Sequence, residues 1–105
     1  MEITKISNDN FTLQKQGNDY VLLMGEIKRD TPRPFTIKIS GVEDSSKVAI
    51  SPKCGCTSID RTVIDGNTLT ATLAYKNCDK TFVKTVEIIN NKKTILLKIQ
   101  GTCRN

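Results

Sequence analysis

The chain of 105 residues contains no histidine and no tryptophan. The missing histidine excludes a Cys-His nucleophile pair, although it is no obstacle to a metal site built from cysteines alone. Aromatic residues make up 5%, too few to line a stacking platform for single-stranded nucleic acid. Arginine is scarce as well, at four of the sixteen basic residues. Those sixteen stand against eleven acidic residues, for a formal charge of +5, and they are spread along the chain mostly as single lysines. The one pair of adjacent lysines is Lys92-Lys93. Charge dispersed in this way describes a solvated basic surface, and a nucleic-acid partner is not expected. Apolar runs such as Val21-Leu22-Leu23-Met24 are far too short to cross a bilayer, so membrane insertion is not expected either. The N-terminal sequence MEITKISNDN has no basic segment leading into an apolar one, so no secretory signal is expected unless a leader has been trimmed away. A glycine-rich phosphate loop is also lacking.

What the sequence does contain is alternation. Hydrophobic residues make up 37% and charged residues 26%, the balance of a soluble globular chain of one domain, residues 1–105. Phe35, Ile37 and Ile39 alternate with Thr36, Lys38 and Ser40; Leu69, Ala71, Leu73 and Tyr75 alternate with Thr68, Thr70, Thr72 and Ala74. Ile95, Leu97 and Ile99 repeat the pattern, and Phe82 to Ile89 is rich in β-branched residues, with Val86 and Ile88 expected inward and Thr85 and Glu87 outward. A period of two is the mark of half-buried strands. Turn signals separate them: Gln16-Gly17-Asn18-Asp19, Asp30 to Pro34, Gly41 to Ser46, Asp65-Gly66-Asn67 and Asn90-Asn91-Lys92. Short strands, about eight of them, at roughly ten-residue spacing predict an all-β, immunoglobulin-like antiparallel sandwich. The five aromatic residues, Phe11, Tyr20, Phe35, Tyr75 and Phe82, fall in strand patterns and are expected in or near the core. Asn10-Phe11-Thr12 matches a glycosylation sequon, which without a secretory route is read as chance.

The four cysteines are Cys54, Cys56, Cys78 and Cys103. If consecutive strands alternate in direction, Lys47–Ser51 runs toward one end and leaves Cys54 and Cys56 there. Ser58–Ile64 runs away from that end, Thr68–Lys76 returns with Cys78, Thr81–Ile89 runs away, and Thr94–Gln100 returns with Cys103. All four sulfurs are thereby expected at the same end of the sandwich. Three chemistries fit. The first is one structural zinc ion held by four thiolates, with Gly55 letting the chain bend so that both flanking sulfurs face the ion. The second is four reduced thiols packed as small hydrophobes. The third is a pair of disulfides, which the missing secretory signal disfavours and whose connectivity the sequence does not choose. A redox dithiol at Cys54-Gly55-Cys56 would need a lowered thiol pKa, yet Lys53 is the only nearby cation and no helix follows. Asp60, Asp65, Asp79 and Glu87 are scattered without a defensible pairing. No catalytic residue is assigned.

The segment Ser51-Pro52-Lys53-Cys54-Gly55-Cys56-Thr57 resembles the hallmark of a family of bacterial immunoglobulin-like domains with a Cys-Gly-Cys-Thr signature, relatives of the Hydin-type domains. In that family the signature is followed by a hydrophobic position, a Pro-Gly-type turn, a strand, and a final hairpin with an Asn-rich corner and a closing glycine. Val63-Ile64, Asp65-Gly66, Leu69–Tyr75, Phe82–Ile89, Asn90-Asn91 and Ile95–Gly101 occupy those places. The match is good over the second half of the chain and loose over the first. Asp65-Gly66 replaces the usual Pro-Gly, and Cys78 and Cys103 are not part of the hallmark. Relatives commonly carry a secretion or lipoprotein signal, which is not visible here. A leaderless domain of this kind is similar to accessory proteins of phage virions. The resemblance therefore implies a non-catalytic structural or binding module, most concretely an auxiliary or decoration protein that contacts capsid or tail proteins. Its alternatives are an extracytoplasmic adhesion or scaffold module with the leader removed and, further off, a small thiol-redox protein.

Overall fold

The alternating rows become the inner faces of two sheets packed against each other. In the computed structural model the strands are β1 (Glu2–Ile6), β2 (Thr12–Gln16), β3 (Asp19–Lys28), β4 (Arg33–Ser40), β5 (Val48–Pro52), β6 (Thr57–Asp65), β7 (Thr68–Tyr75), β8 (Thr81–Asn90) and β9 (Lys93–Arg104). The structure describes residues 1–7, 10–28, 30–43, 47–53, 55–76 and 81–104. The first sheet has the order β1-β4-β7-β6 and the second β2-β3-β9-β8-β5. Every pairing is antiparallel except β3 with β9, which run parallel. This is the all-β immunoglobulin-like sandwich. The part of the Gly41–Ser46 turn from residue 44 onward lies outside the described residues.

The core lies between the sheets and joins Phe35, Ile37, Ile39, Leu69, Ala71, Leu73 and Tyr75 of the first to Leu22, Phe82, Val86, Ile88, Ile95, Leu97 and Ile99 of the second. Each fully buried aliphatic or aromatic side chain contributes about 1.5–3 kcal/mol relative to leaving it in water. Rings lock the two layers together: Tyr75 stacks on Phe82 at 4.5 Å, and Phe11 meets Phe35 edge-on at 6.4 Å. All five aromatic residues are buried. Two polar contacts add direction. The Tyr20 hydroxyl accepts the Ile3 N–H across the sandwich, and the Asp19 carboxylate accepts the Leu96 N–H.

Among the described residues nine strands are present where the sequence suggests about eight. The extra one, β1, hides because Ile3 and Ile6 are three residues apart, which no regular strand can place on one face. A bulge between Ile3 and Lys5 restores the register, so that Ile3 lies opposite Ile39 and Ile6 opposite Ile37. Pro34, expected in a loop, sits inside β4 opposite Ala74. β1 pairs only with Ile37 to Ser40, so at Pro34 there is no neighbour on that side to miss an N–H. The turns fall where expected. Gly17 and Gly66 adopt positive φ between β2 and β3 and between β6 and β7, and Asn91 does so between β8 and β9. Asn90 is fully buried and its side-chain carbonyl accepts the Glu43 N–H at 2.8 Å.

The parallel pair depends on glycine. Gly25, at φ 69°, lies at a register shift in β3 opposite Gly101 of β9. A Cβ added at Gly101 would stand 2.5 Å from the Gly25 carbonyl oxygen and 2.9 Å from the Phe82 ring. Backbone cannot yield as a flexible side chain does. Gly101→Ala is therefore expected to lower stability by about 1–3 kcal/mol, measured as a shift of the urea midpoint at unchanged slope.

One surface pair ties the loop after β4 to the start of β9. Lys93 Nζ donates to the Glu43 carboxylate at 2.6 Å, and this hydrogen bond and charge hold the Glu43 carboxyl below its ordinary pKa. With the folded value depressed, the pair's small contribution is present above the unfolded pKa and is lost as pH falls through the folded one. Lys93→Met is expected to return the Glu43 titration, followed by NMR, toward the ordinary carboxylate range.

Candidate functional site

β7 ends at Tyr75 and β8 begins at Thr81; the Tyr75–Phe82 stack marks this end of the sandwich. β6 starts here too, since Thr57 lies opposite Tyr75. Cys56 occupies the turn just before β6, half-buried against the core, and its carbonyl accepts the Lys76 N–H at 2.9 Å. β9 brings Cys103 to the same end. Cys103 lies opposite Ile27, next to the Gly25–Gly101 approach, and shares the register of the inward-facing Leu97 and Ile99. Cys56 and Cys103 are thus placed at one end, as strand direction requires. Cys54 and Cys78 lie outside the described residues, as does Asp79. Of the described residues nearest to them in sequence, Lys76 bonds to Cys56 and Thr81 lies opposite Thr102, both at this end. Among the described residues no group of three or more His, Cys, Asp or Glu side chains could hold a metal ion. Lys53, the one local cation in the sequence, is turned to Glu87 at 3.8 Å, and its N–H donates to Thr85.

Beside the cysteines stands a buried polar atom without a partner. Thr57 is 7% exposed and its Oγ1 makes no hydrogen bond among the described residues. Such groups are few in folded proteins and call for a reason. A thiolate sulfur is an acceptor this hydroxyl could serve.

The second notable feature was not anticipated from the sequence. β6 is an edge strand of nine residues, and beyond Thr57 every residue in it is exposed. Ile59, Val63 and Ile64 are 37%, 44% and 44% exposed. By register Ile59 and Ile64 belong to the inner face, opposite Leu73 and Leu69, while Val63 lies on the outer face opposite Thr70. The second sheet ends above them in β5, which has five residues, and leaves both isoleucines open. The available signal was Val63-Ile64, because two adjacent aliphatic residues on a strand must point to opposite faces. The other three edge strands are guarded. β1 carries Lys5 and a bulge, β2 carries Lys15, β5 ends in Pro52, and each is five residues long. β6 has no lysine and no proline, and its bulge at Asp60 leaves Arg61 to Asp65 regular.

A depression is lined by Phe11, Met24, Glu26 and Arg33, among others. It brings a carboxylate and a guanidinium together, so neither sign of charge dominates. Among the described residues no helix is long and apolar enough to cross a membrane. No family profile, curated protein or solved structure matches the chain. The likeness to the Cys-Gly-Cys-Thr domains therefore rests on the signature segment and the strand pattern.

Among the described residues the buried Thr57 hydroxyl has no hydrogen-bond partner to offset its desolvation. Thr57→Val, which keeps the shape, is expected to raise stability by about 1 kcal/mol when urea unfolding is followed in the presence of a chelator.

Proposed function

We propose that the protein is a non-catalytic immunoglobulin-like module that works by contact with other proteins of an assembly, most concretely as an auxiliary or decoration protein of a phage particle, seated on capsid or tail proteins. The observation that carries this reading is the open edge of β6. Monomeric sandwiches guard their edges because unpaired N–H and C=O groups invite another strand. An edge that is regular from Arg61 to Asp65 and exposes Val63 and Ile64, with Ile59 beyond the bulge, suits strand addition by a protein partner. The resemblance to domains of the Cys-Gly-Cys-Thr type supports the setting.

The cysteine end fits a structural role in the same module. Cys54, Cys56, Cys78 and Cys103 would hold one zinc ion as a closed set of four thiolates, and the chemistry such an ion supplies is folding free energy. The shared location of Cys56 and Cys103 and the unpartnered Thr57 hydroxyl support this assignment. A small sandwich gains much from one such cross-link.

Two measurements test the reading. Native mass spectrometry with metal analysis is expected to find about one zinc per chain, and Cys78→Ser is expected to lower stability by several kcal/mol. A loss no larger than that of an ordinary buried thiol removes the metal, and a mass deficit of about four hydrogens replaces it with two disulfides. For the setting, particles purified from cells expressing the chain are expected to contain it, and Val63→Lys is expected to deplete it from them. Equal incorporation of the variant overturns the β6 reading.

A further inference from the structure

We propose that the partner strand on β6 is β6 of a second copy of this chain, paired antiparallel about a two-fold axis at Val63. The proposal rests on the reading of β6 as a contact edge and makes a second copy, in place of a capsid or tail protein, the strand that pairs with it.

Backbone geometry restricts the registers. Gly66 and Asn67 form a two-residue turn, so Asp65 and Thr68 are the hydrogen-bonded pair that closes it. Antiparallel ladders alternate bonded and non-bonded pairs. Asp65, Val63 and Arg61 therefore exchange hydrogen bonds with β7, whereas Ile64 and Thr62 direct their N–H and C=O to the open edge. A second β6 must bring its own Ile64 and Thr62 against these groups, and this leaves only axes that pass through a residue.

Side chains then choose among those axes. With the axis at Arg61, two guanidinium groups face each other. An axis at Thr62 sets Arg61 against Val63, and one at Ile64 sets Val63 against Asp65. With the axis at Val63, Thr62 bonds with Ile64 of the second copy in both directions, the two Val63 side chains touch, and each Arg61 faces Asp65 of the other copy. Arg61, Val63 and Asp65 share the outer face, opposite Thr72, Thr70 and Thr68. On its own strand Arg61 is about 13 Å from Asp65, too far to pair. Both side chains are exposed, and neither makes an ion pair among the described residues. The charges on this strand are complementary to their own reversed order. Pairing would carry the first sheet without a break from one copy into the next and cover the open edge. So short a contact lies at the low end of interface areas, which fits a reversible, concentration-dependent dimer.

The test is sedimentation velocity of the full chain from about 10 μM to about 1 mM, a range chosen for weak association, with circular dichroism to confirm each fold. The mass is expected to rise with concentration toward twice the 11.7 kDa of the chain. Val63→Lys is expected to keep it at the monomer. Arg61→Asp and Asp65→Arg each set like charges opposite one another and are expected to weaken association about tenfold or more. An equimolar mixture of those two variants is expected to associate again, because every opposed pair is then of opposite charge; the double variant R61D/D65R is expected to recover for the same reason. A wild-type chain that stays monomeric throughout overturns self-pairing and leaves β6 open to a different protein, which the particle experiment judges separately. A dimer that survives Val63→Lys, or a mixture that fails to associate, places the contact elsewhere and overturns the proposal.

Discussion

Each strand must present its aliphatic residues to the space between the sheets, and because side chains alternate, a slip of one residue would turn a whole row to water. The sequence is not uniformly periodic, and the fold resolves each conflict locally. β1 inserts a bulge between Ile3 and Lys5, β3 a shift between Leu23 and Gly25, and β6 a bulge between Ile59 and Arg61. In β3 the shift lets Met24 and Ile27, three residues apart, both be buried. In β1 and β3 the bulge is how a strand of imperfect period keeps one face on the core; in β6 it keeps Ile59 and Ile64 on the same face of the strand.

This explains what could be read in advance. The rows at Phe35–Ile39, Leu69–Tyr75, Val86–Ile88 and Ile95–Ile99 follow a strict period of two and are buried as expected. The Gly and Asn turns rest on local backbone preference and fall in place. β1 was illegible because its bulge breaks the period. The parallel pairing of β3 with β9 was illegible for another reason: it joins segments from opposite ends of the chain, and no local signal encodes such a partner. Strand direction alone brings Cys56 and Cys103 to one end, since direction survives errors of a residue or two in strand bounds. The openness of β6 depends on how far the facing sheet extends, which only the packing decides.

The two candidate features divide the molecule between them. At one end lie Cys56, Cys103 and the buried Thr57 hydroxyl, where a cross-link would hold strands of both sheets. Along one side, an edge strand without lysine or proline shows backbone and aliphatic surface together. The first concerns persistence of the fold and the second concerns association. They share β6, whose start lies beside Cys56.

The β3–β9 pairing has a consequence for how the chain comes into being. In the second sheet, β2 and β3 meet the other strands only through β9, with Tyr20 opposite Leu97. During synthesis the β2–β3 hairpin emerges early, yet Leu22, Met24 and Ile27 have no sheet to join until β9 has left the ribosome. Contacts this distant in sequence make folding slow, and waiting apolar segments are open to wrong partners. The second sheet is therefore completed only after residues 93–104 have been made.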